Sequence, residues 1–135
     1  GYEIRKKRNS MMSLLIKGII NNNVIFDQNF KYKKDVLPVI YFCKYIYLLI
    51  RKKFNGLINV GSGVNFTLLE LYQLLKINKN LKIKIVNSKN ILDGSFGYTV
   101  KFLNHITNFK IRKKDVLKEI KIIQNKLKKI KIIKK

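Results

Sequence analysis

The sequence of 135 residues predicts an α/β fold with some parallel strand pairing, and three observations lead to that class. Strand-like and helix-like patterns alternate along the chain, as they do when helices join strands of one sheet. Leu57–Val60 is a short run flanked by glycines, which is typical of a buried strand in a parallel sheet. The chain also ends in an apolar repeat that predicts an amphipathic helix. The length is sufficient for one domain with a modest core.

The first half of the chain predicts two helices. Residues 10–20 carry apolar residues near helical spacing after a serine that can cap, so a helix should run to the asparagines at 21–23. Nearly every residue from Val39 to Ile50 is apolar, which predicts a helix buried on most of its sides. Pro38 marks the boundary before that helix, because proline disfavours helical backbone in the residue that precedes it. Extended segments are predicted at Val24–Phe26, Phe30–Val36 and Lys82–Val86.

The best-specified helix start in the sequence is at Thr67. Thr67 and Glu70 have the spacing of a capping box, and Phe66 and Leu71 have the spacing of a hydrophobic staple. These two N-terminal motifs predict a helix from Leu68 to about Ile77.

The rest of the second half predicts a loop and two helices. Residues 87–98 contain Gly94 and Gly97 and should form a loop, and Val100–His105 should form a short helix. The last helix is indicated by apolar residues that step by four and by three, with lysines on the opposite side. The apolar residues of this seam are Val116, Ile120, Ile123, Leu127 and Ile130.

The formal net charge of +23 is weak evidence of function. Only four of the 30 basic residues are arginine, and the composition is dominated by Lys, Ile and Asn, whose codons are rich in A and T. Proteins that read phosphates and bases depend on the planar fork of arginine. We therefore attribute most of the charge to composition bias and expect no specific nucleic-acid partner.

Residue types exclude several classes of protein. The single Cys43 excludes a disulfide framework, and His105 alone leaves metal catalysis almost without ligands. The longest apolar run, Val36–Ile50, is broken by Lys44 and is shorter than the roughly 20 residues of a membrane-spanning helix. No secretory signal is recognisable, so a cytoplasmic location is expected. Because the first residue is Gly1, we expect a fragment, a processed product or an incomplete reading frame.

The segment N-V-G-S-G at residues 59–63 raises the question of a nucleotide site. A dinucleotide fingerprint needs a third glycine and an acidic residue about 20 positions later. Gly61 and Gly63 take the first two places, but Phe66 takes the third and residues 81–86 contain no acid. A phosphate-binding P-loop is excluded as well, since no Gly-Lys-Ser/Thr follows. The segment therefore predicts a tight turn between a strand and a helix that needs no ligand.

Four segments in the middle of the chain occur in an order that a known family shares. These are K-D-V-L-P-V at 34–39, an apolar helix at 40–50, L-I-N-V-G-S-G at 57–63 and T-L-L-E-L-Y-Q-L-L at 67–75. In this order and spacing the chain resembles the C-terminal half of the NAD-dependent epimerase/dehydratase family, the extended short-chain dehydrogenases that act on nucleotide sugars.

The resemblance implies one incomplete α/β unit over residues 1–135. Residues of about 34–63 correspond in it to the last strand-helix-strand of a Rossmann-type doubly wound sheet. Residues of about 9–30 and 64–135 correspond to a small substrate-binding lobe that ends in the amphipathic helix.

The resemblance also implies a substrate site. In the family, an arginine at the position of Lys34 contacts the substrate diphosphate. Lys34 keeps the positive charge of that arginine but lacks its planar guanidinium group, which can donate two parallel hydrogen bonds. Asp35 matches the family pattern and is as well suited to fixing the local turn as to contacting a ligand. The substrate-binding residues implied by the resemblance are Lys34, Asp35, Asn59 and Gly61, and the substrate is a nucleotide sugar.

The family's catalytic groups have no convincing counterpart in the sequence. The complete enzymes bind NAD or NADP on an N-terminal glycine-rich loop and use a Tyr-x-x-x-Lys pair as acid and base. Tyr2 with Lys6 and Tyr72 with Lys76 have that spacing, but both pairs lie at the wrong places in the segment order. We therefore assign no catalytic residue, expect no cofactor on this chain alone, and expect it to be inactive without its missing N-terminal half. A second copy of the chain is the other expected protein partner.

Two other classes of function stay open at this stage. A small nucleic-acid-binding protein would use the lysines of residues 110–135 and 31–34, and its binding would weaken steeply with salt. A helix-mediated interaction module would use the seam of the C-terminal helix on a partner or a membrane surface. Packing of that seam on its own domain is the simpler interpretation.

Overall fold

The computed structural model describes residues 10–26, 33–77, 82–85 and 100–133. Helices and strands are interspersed along the chain, and the predicted α/β class is confirmed. In chain order they are α1 Met11–Ile20, β1 Asn23–Phe26, β2 Lys33–Asp35, α2 Val39–Arg51, β3 Asn65–Thr67, α3 Leu68–Leu75, β4 Lys82–Ile85, α4 Lys101–Thr107 and α5 Lys113–Ile133.

The described strands form two separate pairs. β1 and β4 are parallel, with Val24 opposite Ile83. β2 and β3 are antiparallel, with Lys34 opposite Phe66. A hydrogen bond of 3.1 Å from the Val36 amide to the Val64 carbonyl extends the second pair beyond its ladder. The segment that follows β2 is thereby held against the segment that precedes β3.

The predicted helix starts are confirmed by the side chains that cap them. The Ser13 amide donates to the Ser10 hydroxyl at 3.3 Å, so Ser10 begins α1 as expected. At α3 the Glu70 amide donates to the Thr67 hydroxyl at 3.1 Å, and the Thr67 amide donates to the Glu70 carboxylate at 2.7 Å. Both halves of the capping box are present. Phe66 and Leu71, the predicted staple, are both buried in the core.

The core lies where α3 packs against α1 and α5. Leu68, Leu71 and Leu75 of α3 are fully buried there, together with Leu15 and Ile19 of α1. Gly18 lets α1 approach β1, since a Cβ at this position would lie 2.9 Å from the Asn23 carbonyl oxygen. Of the predicted α5 seam, Val116, Ile120 and Leu127 are buried and Ile123 is partly buried, while the side chain of Ile130 lies outside the described residues.

The predicted strand Leu57–Val60 is wrong. The segment has no strand structure, and the side chain of Leu57 is fully exposed. A strand exists only through hydrogen bonds to a neighbouring strand. None of the described strands is paired with this segment.

The predicted burial of α2 on most sides is also wrong. The helix itself is present, but only Tyr45 and Leu49 are buried in it. An apolar residue on every side predicts a helix, but it does not show which sides are covered.

Some predictions fall outside the described residues. The loop at 87–98 with its two glycines is one, and Tyr2 and Lys6 are others. The short helix predicted at Val100–His105 is confirmed, with the bounds Lys101–Thr107.

The capping box of α3 leads to a pH-dependent prediction. The Thr67 amide and then its hydroxyl lower the pKa of Glu70 by donating to its carboxylate. A lowered folded-state pKa contributes stability that is present above the unfolded pKa of about 4.3 and is lost as the pH falls through the folded value. Because Glu70 is exposed, we expect Glu70→Gln to cost about 0.5 kcal/mol at pH 7 and almost nothing at pH 3 in urea unfolding. In a Thr67→Ala background the same substitution should cost less at pH 7 but still more than at pH 3, because the backbone amide of residue 67 still donates to the Glu70 carboxylate.

Candidate functional site

The turn at residues 61–63 is built around the carboxylate of Asp35. One carboxylate oxygen accepts hydrogen bonds from the Ser62 amide at 2.9 Å and from the Ser62 hydroxyl at 3.0 Å. The other oxygen accepts from the Gly63 amide at 2.7 Å. These short bonds to a charged acceptor join the end of β2 to a turn that follows α2 in the chain. Asp35 therefore fixes the turn, which was one of the two roles expected for it.

Ser62 stabilises the turn through a further hydrogen bond within it. Its side chain is buried, and its hydroxyl accepts from the Val64 amide at 2.9 Å. Gly63 has φ +69°, a left-handed conformation that favours glycine. The turn thus depends on a serine and a glycine at adjacent positions, with Asp35 as their common partner.

The turn does not fit the diphosphate of a dinucleotide. A phosphate loop presents free backbone N–H groups to the ligand. Here the amides of Ser62 and Gly63 both donate to the Asp35 carboxylate, which takes the place that an anion would need. The expectation that this glycine pair forms a turn rather than a cofactor loop agrees with this geometry.

The other site residues implied by the family resemblance lie on both sides of Asp35 and its turn. Lys34 is half-buried in β2, next to Asp35 and opposite Phe66 of β3. Gly61 is buried at the start of the turn, and Asn59 is exposed two residues before it. The structure thus joins Asp35 to the turn that begins at Gly61.

A cleft of about 610 Å³ opens beside the turn and shares Asp35 with it. Its walls come from the start of α1, the segment from Asp35 to Ile40, and the middle of α5. Most of the lining is apolar, including Met11 and Met12, and the charged groups are Asp35, Glu119 and Lys126. Two carboxylates against one ammonium disfavour a diphosphate, so the cleft is better suited to an apolar group than to an anion.

An aromatic cluster connects α2 to the residues before α5. Tyr45 is fully buried, and its hydroxyl donates to the side-chain oxygen of Asn104 at 2.7 Å. Its ring meets that of Phe109 edge to face at 5.2 Å between centroids. Burial raises the pKa of Tyr45, and a hydrogen bond from the Ile111 backbone opposes the rise. Tyr45 therefore stays protonated at neutral pH and acts as a packing residue.

The two members of the Tyr72 and Lys76 pair lie in different surroundings. Tyr72 is buried in the core, whereas Lys76 is exposed at the end of α3. Within the described residues no group of three or more His, Cys, Asp or Glu side chains is placed to hold a metal ion. No helix in the described segments is long and apolar enough to cross a membrane.

Sequence reasoning missed Ser62 and the lining of the cleft. The signal for Ser62 was its place between two glycines, where a hydroxyl can bond to nearby backbone amides. Residues 10–20 were interpreted only as a helix with apolar residues near helical spacing, and nothing in the local pattern places Met11 and Met12 opposite α5.

The fold belongs to the α/β class and corresponds to part of a larger α/β enzyme fold. The chain is similar to the solved structure of the UDP-N-acetylglucosamine 4-epimerase from Methanobrevibacter ruminantium M1 in complex with UDP-N-acetylmuramic acid, with a TM-score of 0.73 and 15% sequence identity. The match covers 91% of this chain and 40% of that chain. No protein-family model and no curated protein matches the sequence. At this identity the likeness shows the fold, and it agrees with the fold expected from the resemblance in sequence.

The conformation of the turn can be tested at Gly63. A Cβ on this residue would lie 2.6 Å from a methyl carbon of Val100, in addition to the unfavourable φ. We expect Gly63→Ala to lower the free energy of unfolding by about 2 kcal/mol in urea titrations. Adding Val100→Ala should recover part of that loss, because it removes the clash and leaves the φ penalty. If the double variant is less stable than the sum of the two single changes, the close approach of Gly63 to Val100 is refuted.

Proposed function

We propose that this chain is the C-terminal, substrate-side portion of an NAD(P)-dependent nucleotide-sugar epimerase, dehydratase or reductase. One observation carries the proposal: nearly the whole chain, 91%, superimposes on part of a UDP-N-acetylglucosamine 4-epimerase with a TM-score of 0.73. The resemblance of residues 34–75 to the nucleotide-sugar family supports the same assignment independently.

The proposed substrate site uses Lys34, Asp35, Asn59 and Gly61. Lys34 supplies a positive charge for the diphosphate and acts as a point charge rather than a fork. Asp35 acts through the turn, since its three hydrogen bonds fix the backbone directly beside Lys34. Gly61 begins that turn, and the exposed Asn59 precedes it with an amide side chain able to bond to a sugar or nucleotide hydroxyl.

We assign the redox chemistry to a part of the complete enzyme that lies outside this chain. In the complete enzyme the bound NAD or NADP supplies hydride transfer. The turn between Gly61 and Gly63 does not fit that cofactor, because the amides of Ser62 and Gly63 already donate to the Asp35 carboxylate. The chain alone should therefore bind substrate weakly and turn nothing over. The cytoplasmic location stays a prediction.

Binding of UDP-N-acetylglucosamine tests the proposal. We expect the purified chain to bind this nucleotide sugar weakly in NMR titrations at 0.3 M salt, and Lys34→Ala to weaken binding about tenfold by removing one charge-assisted contact. Lys33→Ala is the matched control, because Lys33 is exposed in the same strand and its substitution removes the same charge. The chain alone should not reduce NAD.

Three results would contradict the proposed function. Equal losses at Lys33 and Lys34 would show that only net charge matters. Binding of ATP or duplex DNA as tight as that of the nucleotide sugar would favour a nucleic-acid-binding protein, because a chain of charge +23 attracts any polyanion. Reduction of NAD by the 135-residue chain would show that the catalytic groups are present after all.

A further inference from the structure

The side of α5 that lies opposite the core carries a row of lysines. Val116, Ile120 and Leu127 of this helix are buried. Because an α-helix has about 3.6 residues per turn, the positions on the opposite side recur at intervals of three and four residues. Those positions are Lys114, Lys118, Lys121, Asn125, Lys128 and Lys129, and all six side chains are exposed. We call this set the lysine stripe.

The lysine stripe is narrow and dense in positive charge. From Lys114 to Lys129 it spans about 22 Å along the helix, and it covers about 100° of the helix circumference. Lys114, Lys118 and Lys121 follow one another at intervals of four and three residues. Like charges at this spacing repel one another and destabilise a helix, and an anionic surface beside them removes that cost.

The acidic residues of α5 lie beside the stripe and not within it. Asp115 and Glu119 are one turn apart on the side of the helix that carries the cleft, which Glu119 lines. The side chain and the amide of Arg112 donate to the Asp115 carboxylate at 3.2 Å and 2.9 Å. A bias in composition explains how many lysines the chain has, but it does not explain why both acids of this helix lie on one side. The separation of charges is therefore a feature of the helix itself.

The apolar seam of α5 is already covered by the domain. A helix that lies in a membrane interface buries its apolar side in the lipid. In α5 that side is occupied, because Val116 and Ile120 are buried and Gln124 donates to the carbonyl oxygen of Lys76 at 3.0 Å. A partner that contacts the exposed side of α5 therefore meets lysines, and the contact is electrostatic.

The residue types in the stripe favour a fluid anionic surface over a fixed array of phosphates. The stripe contains no arginine, and lysine ammonium groups are point charges that impose no bidentate geometry. Lipid head groups move laterally and can gather beside such charges, whereas the phosphates of a duplex have a fixed spacing. Clusters of about four to eight basic residues on an amphipathic helix are typical of binding to anionic lipids, and the five lysines of the stripe fall within that range.

We infer that the lysine stripe of α5 binds the head groups of an anionic lipid surface, with the helix lying along that surface. The contact is peripheral, because the apolar side of the helix stays in the core of the domain. It is a second interaction that goes beyond the proposed function, since none of the proposed substrate-site residues belongs to the stripe. Its effect is to hold the chain at a membrane surface without a membrane-spanning helix.

Vesicles of stated composition test the inference. The probe is a phosphatidylcholine vesicle that contains about 30% phosphatidylserine, and vesicles of phosphatidylcholine alone are the uncharged reference. We expect the 135-residue chain to sediment with the anionic vesicles and to stay in solution with the uncharged ones. The affinity for the anionic vesicles should fall at least about tenfold between about 0.1 M and about 0.4 M salt, because salt screens charges at a surface.

Two double variants with the same change of charge separate the stripe from the rest of the chain. Lys118→Gln with Lys121→Gln should weaken binding to the anionic vesicles at least about tenfold, since each lysine near such a surface contributes a factor of about five. Lys52→Gln with Lys101→Gln is the control, because both lysines are exposed and belong to α2 and α4. Its affinity should stay within about threefold of the parent. Both variants should keep the parent's urea unfolding midpoint, because all four side chains are exposed.

Three results would overturn the inference. Equal losses in the two double variants would show that the net charge of +23 drives binding and that no particular face is used. Equal binding to charged and uncharged vesicles would show that apolar groups make the contact. Tighter binding to duplex DNA than to the vesicles at the same concentration of anionic charge, with a loss in the stripe variant, would assign the stripe to nucleic acid. The proposed function is tested separately, since a chain that binds vesicles through the stripe and fails to bind UDP-N-acetylglucosamine refutes the function alone.

Discussion

Replacing Asp35 by alanine should lower the free energy of unfolding by about 3 kcal/mol. Hydrogen bonds to a charged group contribute about 1.5–3 kcal/mol each. The three bonds that Asp35 accepts are partly exposed and share one side chain, so we expect the total to lie below the low end of their sum, which is about 4.5 kcal/mol. The loss also leaves the buried Ser62 hydroxyl with only its weaker contacts to Val64. Urea unfolding followed by circular dichroism at pH 7 measures the change.

Two further variants show whether the loss comes from the turn. Asp35→Asn keeps one oxygen for Ser62 but replaces the acceptor of the Gly63 amide with an NH2 group, so it should cost less than alanine and more than 1 kcal/mol, on the order of one lost charged bond. Combining Asp35→Ala with Ser62→Ala should cost clearly less than the sum of the single changes, because the two side chains share a bond. Additive losses would mean that Asp35 and Ser62 act independently, and the account of the turn would be wrong.

Asp35 was identified from the sequence as a site residue, but its role came only from the structure. The family resemblance left it equally suited to binding ligand and to fixing a turn. Its partner Ser62 lies 27 residues away in the chain, so no local pattern connects the two. The structure shows the role in the turn, because all three described bonds of the carboxylate go to residues 62 and 63, while contact of Asp35 with a ligand stays a prediction.

The helix starts that were predicted correctly are fixed by contacts near in sequence. The box between Thr67 and Glu70 spans three residues, and the cap between Ser10 and Ser13 spans the same distance. The strand at Leu57–Val60 was predicted from a short run flanked by glycines, but a strand forms only beside a hydrogen-bonded neighbour, and none of the described strands pairs with this segment. The prediction that α2 is buried on most sides was wrong for the same reason, because residues distant in sequence decide which faces of a helix are covered.

Tyr45 attaches α2 to the rest of the chain, and its removal should have the largest effect on stability that we expect. Only Tyr45 and Leu49 of this helix are buried, and Tyr45 also bonds to Asn104 and packs against Phe109. Truncating a fully buried aromatic side chain typically costs about 3–5 kcal/mol, so Tyr45→Ala should lose about 4 kcal/mol in urea unfolding. Tyr45→Phe removes only the hydroxyl and should lose about 1 kcal/mol.

The matched control for Tyr45 lies two residues away on the same helix. Tyr47 is 57% exposed, so Tyr47→Ala should change stability by no more than about 0.5 kcal/mol. Burial raises the pKa of Tyr45 in the folded state, which makes the stability of the protein depend on pH. The contribution of the protonated Tyr45 to stability is complete below the unfolded pKa of about 10, and it is lost as the pH rises through the folded pKa. Tyr45→Phe should therefore lose less stability than the parent between pH 9 and about pH 11. If Tyr45→Ala and Tyr47→Ala have equal effects, the face of α2 that carries Tyr45 does not hold the helix to the domain.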